Sequence, residues 1–242
     1  MLGYVGLECR RLLRDSGFLV MSVLTPLVMY VVFNNLNVVI GQDPRHAALY
    51  TMISMSAFGA ISGVLNSSVG VAEDRAMGWL RQLRLTPLSP LRIVLARVLI
   101  SMLLAIPPVL SVCLAGVLVN DVALPADRWV SVVLLLWLGT APFAAAGIAI
   151  GYLMSVRVAQ LASIFVYIGL SLVGGLWIPL AAFPEWLADL ARYTPTFSYA
   201  DLSWRVVFEQ GTSGRGLAVL AGWLVLGSGL AVYAYRRGGV RA

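Results

Sequence analysis

The sequence predicts an all-α integral membrane protein with six transmembrane helices and both termini on the cytoplasmic side. Three observations predict it. Hydrophobic residues make up 60% of the 242 and the mean hydropathy is +0.89, more apolar surface than a water-soluble fold can cover. Six apolar runs, at residues 18–40, 48–71, 98–118, 129–154, 159–180 and 217–235, each reach the roughly 20 residues needed to cross the hydrocarbon. The 17 basic residues are all arginines. Twelve of them (Arg10, Arg11, Arg14, Arg75, Arg81, Arg84, Arg92, Arg97, Arg157, Arg236, Arg237 and Arg241) fall in segments on one side of these runs. Five (Arg45, Arg128, Arg192, Arg205 and Arg215) fall on the other, and the richer side is the cytoplasm. The net charge of +6 is therefore a mark of topology rather than of nucleic-acid binding.

The whole chain, 1–242, reads as one transmembrane domain. Residues 1–16 place Tyr4, Leu7, Leu12 and Leu13 among Glu8, Arg10, Arg11 and Arg14, the pattern of an interfacial helix. The first span is too long for the apolar region of a cleaved leader and is expected to stay as a helix. It carries Pro26, and Asn34, Asn35 and Asn37 near its outer end. In the second span Gly59, Gly63, Asn66 and Gly70 recur at spacings of four, three and four, one stripe along which helices approach closely. Gly147 and Gly151 repeat that spacing in the fourth span. Pro107 and Pro108 interrupt the third span's hydrogen-bond ladder, giving a bend that is either a hinge or a fixed shape. Cys9 and Cys113 lie too far apart along this topology to pair, and both are expected as free thiols.

Between spans five and six, residues 181–216 predict two short amphipathic helices on the outer side. Pro184 opens the first, with Trp186, Leu187, Leu190 and Ala191 on one face, until Thr194-Pro195 stops it. Ser198 and Asp201 match a capping box for the second, supported by Asp201 and Arg205 at i, i+4 and ended by Gly211. Their tryptophans and tyrosines predict that both sit at or dip into the outer leaflet.

The cytoplasmic segment 72–97 organises the chain. Arg75 to Leu85 is expected as a short helix carrying Met77, Trp79, Leu80 and Leu83, with Thr86-Pro87 ending it. Ser89 and Pro90 then start the next helix. An apolar patch on a cytoplasmic turn needs a cover, either a soluble partner or the membrane surface.

Several chemistries have no residues to carry them. The sequence holds no phosphate-binding G-x-x-x-x-G-K-[ST], no H-E-x-x-H and no G-x-S-x-G, and His46 is its one histidine. No acidic residue falls within the spans, which disfavours a carrier driving its own uphill transport. A membrane-embedded lipid-modifying enzyme or assembly factor is the alternative from another class, and it lacks a catalytic constellation.

Two stretches carry a resemblance. Glu73-Asp74-Arg75, Gly78-Trp79-Leu80, Leu83 and Thr86-Pro87-Leu88-Ser89 resemble the segment after the second helix in permeases of the type-2 ABC transporter family. Gly175, Pro179, Phe183-Pro184-Glu185-Trp186-Leu187, Tyr193-Thr194-Pro195, Tyr199 and Arg205 resemble that family's stretch before its last helix. Trp79 stands where threonine is more usual. The resemblance implies the translocation subunit of a small bacterial exporter, laid out like the daunorubicin-type drug exporters, multi-pass in the cell membrane. It implies a separate ATPase subunit docking at Glu73, Arg75, Gly78, Trp79, Leu80, Leu83, Arg84, Thr86 and Pro87, and a second permease chain, identical or different, closing the path. ATP and magnesium would bind in the ATPase, with no cofactor or metal in this chain and no nucleic-acid partner. The cargo would be a hydrophobic drug, a lipid or a glycolipid.

Overall fold

The computed structural model describes residues 20–36, 43–78, 90–211 and 213–238. The described residues are helical, without a strand. A π-helical turn, Val20–Leu24, leads into α1 (Thr25–Asn35). There follow α2 (Pro44–Ala76), α3 (Pro90–Leu103), α4 (Ile106–Asn120), α5 (Ala126–Leu138), α6 (Ala141–Leu153) and α7 (Val156–Val173). A 3-10 turn, Leu180–Ala182, then precedes α8 (Glu185–Ala191), α9 (Pro195–Val207) and α10 (Gly214–Gly238). Among the described residues five helices are long and apolar enough to cross a membrane: α2, the pair α3–α4, the pair α5–α6, α7 and α10. Ser22–Asn35 is a shorter apolar helix. The expected interfacial helix at 1–16 lies outside the described residues.

The bundle is built around α2. Of its most apolar window 89% is buried inside the protein, against 22% for α7 and for α10. Alanine, serine and glycine make this possible, since without large side chains a helix admits close neighbours on every side. A Cβ at Gly59 would stand 2.8 Å from both Pro108 Cβ and Pro26 Cγ, and one at Gly63 would stand 3.0 Å from the Leu104 carbonyl oxygen. On another side, a Cβ at Gly151 of α6 would meet the Ser68 carbonyl at 2.5 Å and Val71 at 2.7 Å, and one at Gly147 the Val64 carbonyl at 3.3 Å. Asn66 is half-buried. Gly70, expected in the same seam, has open space where its Cβ would be.

Two spans are broken, and only one break is expected from the sequence. α3 and α4 meet at Leu104 and Ala105, whose amides bond three residues back, to Ser101 and Met102, at 3.0 and 3.1 Å. Pro107 and Pro108 follow in the first turn of α4, where a missing N–H costs least. The fourth span, expected as one helix, is interrupted at Gly139-Thr140 because Pro142 cannot donate to the turn before it. Aromatic side chains donate to carbonyls next to both breaks. Trp137 Nε1 donates to Met102 O at 3.0 Å, and Tyr199 Oη donates to Leu136 O at 2.5 Å.

Other expectations need correction. α7 ends at Val173 rather than near residue 180, because Gly174 and Gly175 turn the chain and Gly175 has φ +77°. The cap of α9 is Thr194, whose hydroxyl accepts from the Phe197 amide at 3.2 Å. Ser198 lies inside that helix, since Pro195 is fixed for its first position. α9 stops at Val207, short of Gly211, as Glu209 adopts φ 57°. It is also no surface helix: Tyr199, Ala200, Leu202, Ser203 and Trp204 are buried against α2, α5 and α10. α8 does open after Pro184 and leaves Trp186 and Leu190 exposed, with Leu187 half-buried. Arg205 pairs with Asp201 at 2.7 Å as the spacing predicts.

Gly151→Leu should lower stability by about 1–3 kcal/mol through overpacking against backbone. Gly70→Ala should be neutral or slightly stabilising, as it fills open space in a helix. Thermal unfolding of the two variants in detergent checks the contrast.

Candidate functional site

The segment expected to receive a partner leaves α2 at one end of the bundle. Of the residues singled out there, Glu73, Arg75 and Gly78 are described. Trp79, Leu80, Leu83, Arg84, Thr86 and Pro87 lie outside the described residues. The helix expected from Arg75 to Leu85 does not begin at Arg75. Arg75 belongs to the last turn of α2, which closes through Met77 N to Glu73 O at 2.9 Å and Gly78 N to Arg75 O at 3.1 Å. Gly78 takes φ +77°, the left-handed conformation in which a helix stops and glycine is the least strained residue.

Arg75 therefore points back into the bundle. Its guanidinium donates to the carbonyls of Tyr152 and Met154, at 2.5 and 2.8 Å, at the C-terminal end of α6. Carbonyls in a helix's last turn lack internal partners and carry the negative end of its dipole, so a forked cation is the side chain that suits them. One residue earlier, Asp74 holds Arg97 of α3 at 2.7 Å, with side chains only 15% and 12% exposed. Tyr152 in turn packs edge-on against Tyr235 of α10 at 5.4 Å. The end of α2 is thus fastened to α3 and α6 by consecutive residues, and through Tyr152 to α10. Met77, 69% exposed, stands where the chain leaves this clamp.

The sequence assigns Arg75 to the docking segment and Arg97 to the topology-marking arginines. The partners of Arg75 are backbone carbonyls, which no residue pattern announces. Asp74 and Arg97 are separated by 23 positions, and only the turn between α2 and α3 brings them together.

With this geometry in hand, comparison with known proteins decides the family. A family model described as an ABC-2 family transporter protein matches residues 39–234. The chain belongs to the ABC-2 transporter family. It is similar to the putative transport permease YvfS of Bacillus subtilis, 26% identical over 231 residues that cover 95% of this chain and 94% of that protein. It is also similar to the probable doxorubicin resistance ABC transporter permease protein DrrC of Mycobacterium tuberculosis, 26% identical over 228 residues, 89% of this chain and 76% of that protein. This ABC-2 protein is a membrane translocation subunit and not an enzyme, which removes the lipid-modifying alternative. Its family and its apolar helices make it a multi-pass membrane protein.

Arg75→Lys keeps the charge but loses the fork, and Arg75→Met loses both bonds. Bonds from a charged group are worth roughly 1.5–3 kcal/mol each. Amide exchange at Tyr152–Met154 should accelerate in the order wild type, Arg75→Lys, Arg75→Met. Equal protection in all three would mean that the clamp contributes nothing.

Proposed function

We propose that this chain is the permease subunit of an ATP-driven exporter in a bacterial cell membrane, that it moves a hydrophobic or amphipathic molecule, and that a separate ATPase docks on residues 79–89. A second permease chain closes the path, ATP and magnesium are held by the ATPase, and both termini face the cytoplasm. The clamp at the end of α2 is the observation that carries this reading. ATP binding draws two ATPase subunits together and displaces whatever is docked on them. A displacement of residues 79–89 reaches Arg75 and Asp74 within one turn of helix. Because those residues hold α6 and α3, the three helices move as one rigid body, the kind of shift by which packed interfaces switch. With α2 at the centre of the bundle, that shift reaches every span packed on it. The positive-inside count supports the orientation. The doxorubicin resistance named for DrrC supports a drug-like or lipid-like cargo.

In this reading Trp79, Leu80 and Leu83 fill a groove on the ATPase while Arg84 reaches acidic groups at its rim. Truncating an apolar anchor commonly costs about 2 kcal/mol or more, and a rim charge chiefly affects association. Co-purification with a co-expressed candidate ABC ATPase, normalised to permease yield, tests the proposal. Trp79→Ala and Leu83→Ala should each lower retention about tenfold or more, whereas Arg84→Ala should do less, with an effect that shrinks at high salt. Full retention by both apolar variants would remove the segment as the coupling element.

A further inference from the structure

At the end of the bundle away from the clamp, α10 begins beside the turn that joins α8 to α9. Trp223 Nε1 donates to Tyr193 O at 3.1 Å, which pins that turn to α10. Arg215, in the first turn of α10, holds its guanidinium over the Tyr193 ring, 4.6 Å from the centroid. Arg128, Arg192 and Arg205 at this end each hold a carboxylate, on Glu209, Asp189 and Asp201. Arg215 has only the ring: among the described residues no hydrogen bond or ion pair engages it. A ring contact draws on the charge of the guanidinium and leaves its forked N–H donors for another acceptor.

Depth identifies that acceptor. From Arg215 to Arg236 along α10 is about 31 Å at 1.5 Å per residue, close to the roughly 30 Å of a bilayer's hydrocarbon core. Arg215 therefore stands at the level of the lipid headgroups. The surface around it is apolar and open to lipid, with Trp186, Leu190 and Tyr193 exposed on one side and Leu217, Trp223 and Leu226 of α10 on the other. Gly222, two turns below Arg215 on the same face, has nothing within 4 Å of where a Cβ would stand, so an acyl chain has room against the helix beside Trp223 and Leu226. Glu185 lies at the far end of α8 from Tyr193.

We infer that Arg215, Tyr193 and Trp223 form a binding site for an anionic phospholipid of the leaflet at this end, with the phosphate on Arg215 and an acyl chain along Trp223 and Leu226. A guanidinium fork matches phosphate oxygens, and tyrosine and tryptophan belong at this depth. The same arrangement selects against a zwitterionic head. Its ammonium would need a carboxylate or an aromatic face, but Asp189 is already held by Arg192 and the Tyr193 ring by Arg215. Phosphatidylglycerol brings a phosphate and hydroxyls without a cation. Seated here, it bridges α10 and the turn between α8 and α9. The site goes beyond the exporter reading and does not depend on which molecule is transported.

The full-length permease in phosphatidylcholine nanodiscs tests this, with equal small fractions of the lipid replaced by acyl-brominated phosphatidylglycerol or by acyl-brominated phosphatidylcholine. Bromine quenches tryptophan at short range, and the signal of Trp223 is read by difference from the same protein carrying Trp223→Phe. The wild type should favour phosphatidylglycerol about fivefold, the scale of one basic residue at an anionic head. Arg215→Gln should bring the preference close to one while melting as the wild type does in phosphatidylcholine alone, since Arg215 is exposed. Arg192→Gln should leave the preference unchanged, because that arginine is held by Asp189. Inorganic phosphate in the buffer should not compete. Equal quenching by the two lipids, an unchanged preference in Arg215→Gln, an equal loss in Arg192→Gln, or competition by inorganic phosphate would overturn the site, the last two by showing a diffuse surface charge or a site for a soluble anion.

Discussion

The rest of the structure depends on how closely other helices approach Pro44–Ala76. In water, burying a helix on every face is driven by removal of apolar surface from solvent. Lipid offers no such gain, and close contact must come from packing and from satisfied polar groups. α2 supplies both. Glycines at 59 and 63 receive α1, α4 and the α3–α4 break, while Gly147 and Gly151 bring α6 against its backbone. Serines engage across the same seams, as in Ser67 with Ser101 and Ser68 with Ser163. A helix packed in this way cannot shift alone. Any displacement at its end is shared with its neighbours, and this is why the arginine clamp at that end matters for a transporter.

The two broken spans show the other constraint on backbone in a bilayer. Where a helix breaks, carbonyls of its last turn lose regular partners, and an unpaired carbonyl in a bilayer is costly. Tyr199 takes the Leu136 carbonyl, and Trp137 adds a second donor to the Met102 carbonyl; each fastens its own helix to another span in doing so. Tyr199 is buried, and its phenol donates this bond from within the bundle. α9 is held inside the protein by this bond and by the bond from Trp204 to Tyr50 O at 3.3 Å.

What was legible in the sequence follows from the kind of information that each feature carries. The Pro107-Pro108 pair is local and readable, because a missing N–H has the same consequence in any helix, and the glycine spacing marks the seam at Gly59, Gly63, Gly147 and Gly151 but not at Gly70. Pro142 was equally visible, but it sits in a run so apolar that hydropathy marks one continuous span. The sequence points α9 to the surface because Tyr199 and Trp204 are residue types that membrane interfaces favour. Their polar atoms had carbonyl partners inside the protein, and carbonyls leave no trace in a sequence. The same blindness hid the role of Arg75. The capping error was of another kind: Thr194 and Ser198 were both competent caps, and Pro195 decided between them by being suited to the first turn.

The central claim is that the ends of α2, α3 and α6 form one rigid body that carries the ATPase's motion. Spin labels at positions 74 and 154, and at 74 and 97, measured in the complex with its ATPase before and after ATP binding, test it directly. Labels replace Asp74 in both pairs, so Arg75 remains to hold α6 and the first pair is decisive. Unchanged separation of positions 74 and 154 on ATP binding, with a changed separation between position 74 and the same position in the second permease chain, is the expected result. A change between 74 and 154 as large as that between the two chains would show that α2 slides past α6, and would contradict the account.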